Sequence, residues 1–152
     1  MKISGAATLA LPPEEAYRRL QDPEFLAKAI PGCEGLEKIG EDAYRMKMKL
    51  AMASLSGAFE GTVKIADQTP PSSFRLIVEG AGKIGFMKGD GLLKLSAKDA
   101  ATEVAYEGDV QVGGMIAGVG QRLLDTTSRF LIKKFFEKLT AEAVAQMPQA
   151  AD

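Results

Sequence analysis

The stretch MIAGVGQRLLDTTSRFLIKKFFEKLTAEAVA, residues 115–145, decides the fold because it is the longest segment with helical periodicity in the chain. Leu124, Leu131 and Phe135 recur on one helix face and form the centre of an apolar stripe. Further apolar residues widen this stripe: Ile116, Leu123, Phe130 and Leu139. A helix with such a stripe needs an apolar layer to pack against. The stretch therefore predicts one long C-terminal helix laid across another element.

The segment from Glu34 to Val112 supplies that layer. Apolar and polar residues alternate there in blocks separated by Gly, Pro and Ser, which is typical of antiparallel strands with one dry face. The predicted dry face carries Tyr44, Met46, Met48, Phe59, Val63, Leu76, Leu93, Val104 and Tyr106. Ahead of it, Lys2–Leu11 reads as an opening strand, and two short helices follow, over Glu14–Leu20 and from Pro23 to Ile30. The pattern predicts an α+β fold in which a curved sheet of about seven strands wraps around the last helix.

Composition limits the function classes. A length of 152 residues favours a single domain, predicted over 1–147 and followed by a disordered tail at 148–152. The net charge of −1 and the interspersed charges speak against nucleic acid as a partner. A single cysteine excludes an internal disulfide, and the chain shows neither the apolar core of a signal peptide nor a membrane span. We expect a cytoplasmic protein.

The chain contains no histidine. Its absence removes the commonest general base and the usual zinc ligand. The glycines between Gly80 and Gly91 lie between two predicted strands, which is the wrong context for cradling a phosphate. Because Asp and Glu fall mainly on the wet face or in turns, no acid–base pair of carboxylates is expected in the interior. The sequence therefore favours binding over catalysis, with no metal and no covalent cofactor.

A curved sheet under a single helix tends to leave a void, and we expect an apolar ligand cavity there. Its predicted wall is Tyr44, Met46, Met48, Phe59, Val63, Leu76, Leu93, Tyr106, Leu123, Thr127 and Leu131. The methionines are explained equally well as adaptable core filling and as a conformable wall for a hydrocarbon.

The glycine-rich segment Gly82–Gly89 carries large apolar residues where a turn normally carries polar ones. One interpretation is a mobile gate at the cavity mouth. The other is that Ile84 and Phe86 pack under the helix. The residues predicted for the rim and gate are Leu55, Ile84, Phe86, Met87, Met115 and Ile116.

Several motifs together resemble a known family. They lie at Pro12–Leu20, Ile30–Glu34, Gly57–Gly61, Gly80–Gly89 and Gly113–Gly120. In this combination the chain is similar to the CoxG family of carbon monoxide dehydrogenase subunits, within the START-like, or SRPBCC, helix-grip superfamily. The likeness extends over nearly the whole chain through the final helix.

The resemblance implies a function. Family members are associated with the membrane recruitment of molybdenum hydroxylases of the carbon monoxide dehydrogenase type and with handling a lipophilic quinone. It implies a menaquinone- or ubiquinone-like ligand, a molybdenum hydroxylase as partner, and transient contact with the inner face of the membrane. Two alternatives stay open: a START-like cyclase or hydrolase that uses tyrosines and carboxylates, and an assembly factor without a ligand.

Overall fold

The chain folds in the predicted order of elements, in a computed structural model that describes residues 1–51 and 56–145. The elements are β1 (Lys2–Leu9), α1 (Pro13–Arg19), α2 (Pro23–Ala29), β2 (Cys33–Gly40), β3 (Ala43–Leu50), β4 (Gly57–Thr69), β5 (Ser73–Gly82), β6 (Gly85–Lys98), β7 (Ala101–Gly113), a 3-10 helix (Gly114–Val119) and α3 (Gln121–Ala145). Leu55 of the predicted rim and the predicted tail at 148–152 lie outside the described residues.

The strands form one antiparallel sheet in the order β1-β7-β6-β5-β4-β3-β2. Neighbours from β2 to β7 are consecutive in sequence, and β1 pairs with β7, so the meander is closed on one side by the opening strand. This arrangement confirms the predicted helix-grip fold class, in which a sheet of seven strands holds the C-terminal helix.

The two short helices begin where the sequence predicts. Pro13 and Pro23 stand in the first turns, where a missing N–H costs nothing. The Asp22 carboxylate accepts a hydrogen bond of 2.9 Å from the backbone N–H of Glu24, which caps α2.

The prediction of one uninterrupted final helix is wrong at its start. Residues Gly114–Val119 form a 3-10 turn, and α3 begins only at Gln121. Gly120, between them, has a φ of 99°, which L side chains rarely adopt and which interrupts the helical hydrogen-bond ladder. Gly120 therefore separates the 3-10 turn from α3.

The predicted dry face is confirmed by the strand register. Cross-strand partners such as Tyr44 and Val63, or Leu93 and Tyr106, lie on the same side of the sheet. Val63, Phe74 and Val104 are fully buried there. A slip of one residue would have turned every one of these side chains to solvent.

Two packed regions hold α3 against the sheet. The larger, here called the main core, joins the sheet to α1, α2 and the second half of α3; its buried residues are Leu9, Leu11, Ala16, Tyr17, Leu20, Phe25, Ala29, Tyr44, Ile65, Phe74, Leu93, Leu95, Val104, Phe136 and Leu139. The smaller, here called the distal cluster, consists of Phe59, Ile116 and Leu124. The part of α3 between Leu124 and Phe136 spans the space between the two.

The predicted centre of the α3 stripe faces the sheet, where Leu124 is buried and Phe135 packs against the main core, but one flank differs from the prediction. Leu123 and Phe130, expected to widen the stripe, are 40% and 45% exposed. Phe136, which the prediction omitted, is buried in the main core, and Ile132 packs against it. The aromatic ring of Phe130 instead lies 5.6 Å from the ammonium of Lys134, on the solvent side.

Candidate functional site

An apolar cavity lies between the sheet and α3, divided into two chambers. The first chamber has a volume of about 240 Å³ and is here called the Tyr106 chamber. Its lining residues are Ile3, Leu76, Val78, Met87, Gly89, Asp90, Gly91, Leu93, Tyr106, Glu107, Val110, Ser128, Leu131, Ile132, Phe135 and Phe136. The second, of about 190 Å³, is here called the Met48 chamber; it is lined by Ile30, Pro31, Met46, Met48, Leu50, Leu76, Val78, Met87, Leu131, Ile132 and Phe135. Together they reach the roughly 300–1,000 Å³ typical of ligand pockets.

The two chambers are adjacent and share part of their lining, here called the waist. Six residues line both chambers: Leu76, Val78 and Met87 from the sheet, and Leu131, Ile132 and Phe135 from α3. Since Leu76 and Val78 belong to β5 and Met87 to β6, the waist lies between these two strands and the middle of α3. The Tyr106 chamber extends from it toward β1, and the Met48 chamber toward β3 and the end of α2.

Two glycines create much of the room in the Tyr106 chamber. A Cβ added at Gly91 would have its nearest heavy atom 3.7 Å away, and one at Gly89 would have its nearest at 4.0 Å. Neither position has a backbone conformation that excludes a side chain. The absence of a side chain at Gly89 and Gly91 therefore leaves open volume above the sheet.

Polar residues occur in the Tyr106 chamber and not in the lining of the Met48 chamber. The ring of Tyr106 stacks on Phe136, with centroids 5.0 Å apart. Burial raises the pKa of the Tyr106 phenol, and the positive charge of Arg129 opposes that shift, so the hydroxyl is protonated at neutral pH. Within the described residues, the hydroxyls of Tyr106 and Ser128 make no hydrogen bond with another protein group.

Asp90 and Glu107 also border the Tyr106 chamber, but the strand register places their side chains on the wet face of the sheet, as expected for the carboxylates. They also line a groove with Arg75 and Arg129. The Asp90 carboxylate is paired with Nη1 of Arg75 at 2.6 Å. This carboxylate is thus committed to an ion pair.

The predicted wall residues divide into two sets. Those that line a chamber are Met46, Met48, Leu76, Leu93, Tyr106 and Leu131, joined by Met87 from the predicted rim. Tyr44, Phe59 and Val63 lie on the same dry face but are packed in the interior and line neither chamber.

On α3, Thr127 is buried but does not line either chamber, whereas Ser128 does. Leu123 is 40% exposed and lines neither chamber.

The segment predicted as a gate forms a hairpin. Gly82 pairs with Gly85, so Lys83 and Ile84 form a tight turn between β5 and β6 rather than a long loop. Phe86 pairs with Gly113, with its ring over that glycine, and lines a shallow outer groove together with Glu60 and Lys88. Phe86 is 50% exposed on the face of the sheet that points away from α3.

The other rim residues lie apart from one another. Ile116 is buried in the distal cluster, where its backbone N–H donates a 2.8 Å hydrogen bond to the carbonyl of Ile84. Met115, its neighbour, is 73% exposed. Met87 lies at the waist rather than at an edge.

Several lining residues were not predicted, and they differ in how they could have been found. Val78, Gly91 and Val110 follow the same two-residue alternation as the predicted wall. Ile132 and Phe136 would follow from extending the helix stripe on the flank opposite Leu123. Ile30 and Pro31 have no periodic signal, since they reach the cavity through the placement of α2.

A curved antiparallel sheet that grips one long helix over an apolar cavity defines the START-like, helix-grip class of protein. A solved START superfamily protein from Mycobacterium smegmatis shares the fold, with a TM-score of 0.77 at 10% identity over 96% of this chain and 99% of that one.

The chain belongs to the CoxG family of carbon monoxide dehydrogenase subunits, whose model matches residues 5–144. A conserved protein from Geobacillus kaustophilus of known crystal structure is 34% identical, with a TM-score of 0.90 over 95% of this chain and 96% of that one. The comparison with curated proteins gives no match. Among the described residues, no helix is both long and apolar enough to cross a bilayer.

Proposed function

We propose that this protein binds a lipophilic molecule, a quinone or another lipid-like compound, in the cavity between the sheet and α3. It acts without catalysis, as a carrier and membrane-recruitment factor for a molybdenum hydroxylase of the carbon monoxide dehydrogenase type. The observation that carries the proposal is the pair of adjacent apolar chambers, whose shared lining consists of apolar side chains from β5, β6 and α3.

Burial of apolar area supports binding of such a ligand. Removal of apolar surface from water contributes about 25 cal/mol per Å², and a cavity enclosed between two layers can cover most of a slender molecule. The enzyme partner and the menaquinone- or ubiquinone-like ligand rest on membership of the CoxG family.

Uptake of a quinone from liposomes tests the proposal. The protein is incubated with menaquinone-containing vesicles and separated from them by gel filtration, and the quinone in the protein fraction is measured by mass spectrometry. We expect bound quinone with the natural sequence. Leu131→Trp should abolish it, because Leu131 lines both chambers and an indole there would occupy the space between them.

Leu123→Trp is the matched control, because it places the same side chain on the same helix at a residue that is 40% exposed. This variant should retain the quinone. Equal loss in both variants would point to the surface of α3 instead of the cavity. If the natural protein takes up neither quinone nor any other lipid, the proposed function is wrong.

A further inference from the structure

We infer that the two chambers hold one ligand in two parts. A compact head with a hydrogen-bond acceptor, such as a ring carbonyl, occupies the Tyr106 chamber, and a flexible hydrocarbon chain occupies the Met48 chamber. Met87 controls the passage and thereby the chain length that the protein accepts. This inference rests on the proposed binding of a lipophile and adds the ligand's orientation and a residue that determines specificity.

The orientation follows from the chemistry of the two linings. The side chains around the Met48 chamber contain no nitrogen or oxygen atom, so a polar group placed there would lose its hydrogen bonds to water. The lining of the Tyr106 chamber includes Tyr106 and Ser128, whose hydroxyls have no hydrogen-bond partner among the described residues. A hydroxyl without a partner can donate to a carbonyl oxygen.

The shape of the Tyr106 chamber suits a flat head. The rings of Tyr106 and Phe136, which line this chamber, are stacked with an interplanar angle of only 16°. Gly89 and Gly91 have no side chain on the sheet side, and a Cβ at either position would make only ordinary van der Waals contacts. A planar ring can stack on such an aromatic surface, whereas a branched head would meet the surface poorly.

Met87 is the residue of the waist best able to move. Its register partner on β5 is Gly80, and a Cβ added there would lie 3.9 Å from Cγ of Met87, so no side chain confines it on that side. Methionine is unbranched, with three rotatable bonds, whereas Val78 and Ile132 are stiff at χ1. A chain can therefore pass when Met87 changes rotamer, without any displacement of the sheet.

A homologous series of ligands tests the inference. Alkyl phenyl ketones from acetophenone to decanophenone keep one ring and one carbonyl and vary only the chain. Their affinity is measured by equilibrium dialysis. For the natural sequence we expect an increase of about fourfold per methylene, from about 0.8 kcal/mol per buried CH₂, until the Met48 chamber is full.

Variants separate the waist from the head chamber. Met87→Phe should remove the dependence on chain length, so that decanophenone binds no more tightly than acetophenone. Gly91→Leu should weaken short and long ketones alike, because it fills the Tyr106 chamber. If Met87→Phe lowers the melting temperature, Met87→Ile takes its place in the test. Isoleucine has nearly the volume of methionine, but its side chain is stiff at χ1.

The orientation has its own test. Octanophenone should bind about two- to tenfold more tightly than octylbenzene, as expected for one hydrogen bond. The double variant Tyr106→Phe/Ser128→Ala should remove this preference, so that octanophenone and octylbenzene bind with equal affinity. A preference that survives in the double variant would overturn the assigned orientation.

The failures are distinguishable. If no ketone binds to the natural protein, the proposed function fails and this inference with it. If all the ketones bind with equal affinity, the binding function stands and the division into head and chain is wrong. A chain-length dependence that persists in both Met87 variants would show that the passage does not depend on Met87.

Discussion

The two halves of α3 differ in what they contribute. The second half buries Phe136 and Leu139 in the main core, against the sheet, α1 and α2. The first half contributes Leu124 to the small distal cluster. Between them, Leu131, Ile132 and Phe135 lie over open volume. The comparison indicates that one end of the helix provides stability, while its middle is left incompletely packed, as ligand binding requires.

The test with the largest expected effect shortens one side chain to alanine in each of the two regions. Phe74→Ala should cost about 3–5 kcal/mol of unfolding free energy, because Phe74 is fully buried in the main core and its ring packs edge-on against Tyr17. Leu131→Ala should cost only about 1–2 kcal/mol, since it enlarges a space that already exists. Urea denaturation measures both. Equal costs would mean that the cavity region is packed as tightly as the core.

A second test uses a matched pair of strand glycines. Gly61→Ala should destabilise the protein by more than about 1 kcal/mol, because a Cβ there would collide with the backbone carbonyl of Glu79. Gly91→Ala should be neutral or stabilising by about 0.4–1 kcal/mol, since its Cβ enters open space. Thermal unfolding distinguishes the two. A loss at Gly91 equal to that at Gly61 would contradict the open volume above β6.

The sequence predicts the sheet better than it predicts the cavity, for a physical reason. Alternation with period two assigns a face with little ambiguity, so Met46, Leu76 and Tyr106 are placed correctly. A helix stripe with apolar residues on both flanks is less decisive. Leu123 and Phe136 lie on opposite flanks of the predicted stripe. Packing against the sheet and α2 buries Phe136 and leaves Leu123 exposed.

Glycine-rich segments limit the prediction further. Glycine is compatible with a mobile loop and with a tight hairpin, so the segment around Lys83 did not reveal which one forms. The approach of Ile30 and Pro31 to the Met48 chamber depends on where α2 lies against α3, and no local pattern encodes that placement.

The smallest effect concerns two tyrosines, one in the main core and one in the cavity. Burial raises the pKa of Tyr44, with Asp42 adding to the shift, and burial also raises the pKa of Tyr106. In the unfolded chain both phenols titrate at about pH 10. The stability that each neutral phenol contributes is therefore complete below about pH 10 and is lost as the pH rises through its folded pKa, at up to about 1.4 kcal/mol per unit.

Tyr44→Phe and Tyr106→Phe should each reduce the loss of stability between about pH 9 and about pH 11. Urea denaturation at the two pH values measures the change. A bound ligand distinguishes the two sites: a lipophile in the Tyr106 chamber removes water from around that phenol and should raise its pKa further, while the pKa of Tyr44, which lines neither chamber, should not change. Phenolate absorbance of the single variants, with and without decanophenone, follows each titration. A ligand that moved the pKa of Tyr44 instead would place the binding site in the region that we assign to stability.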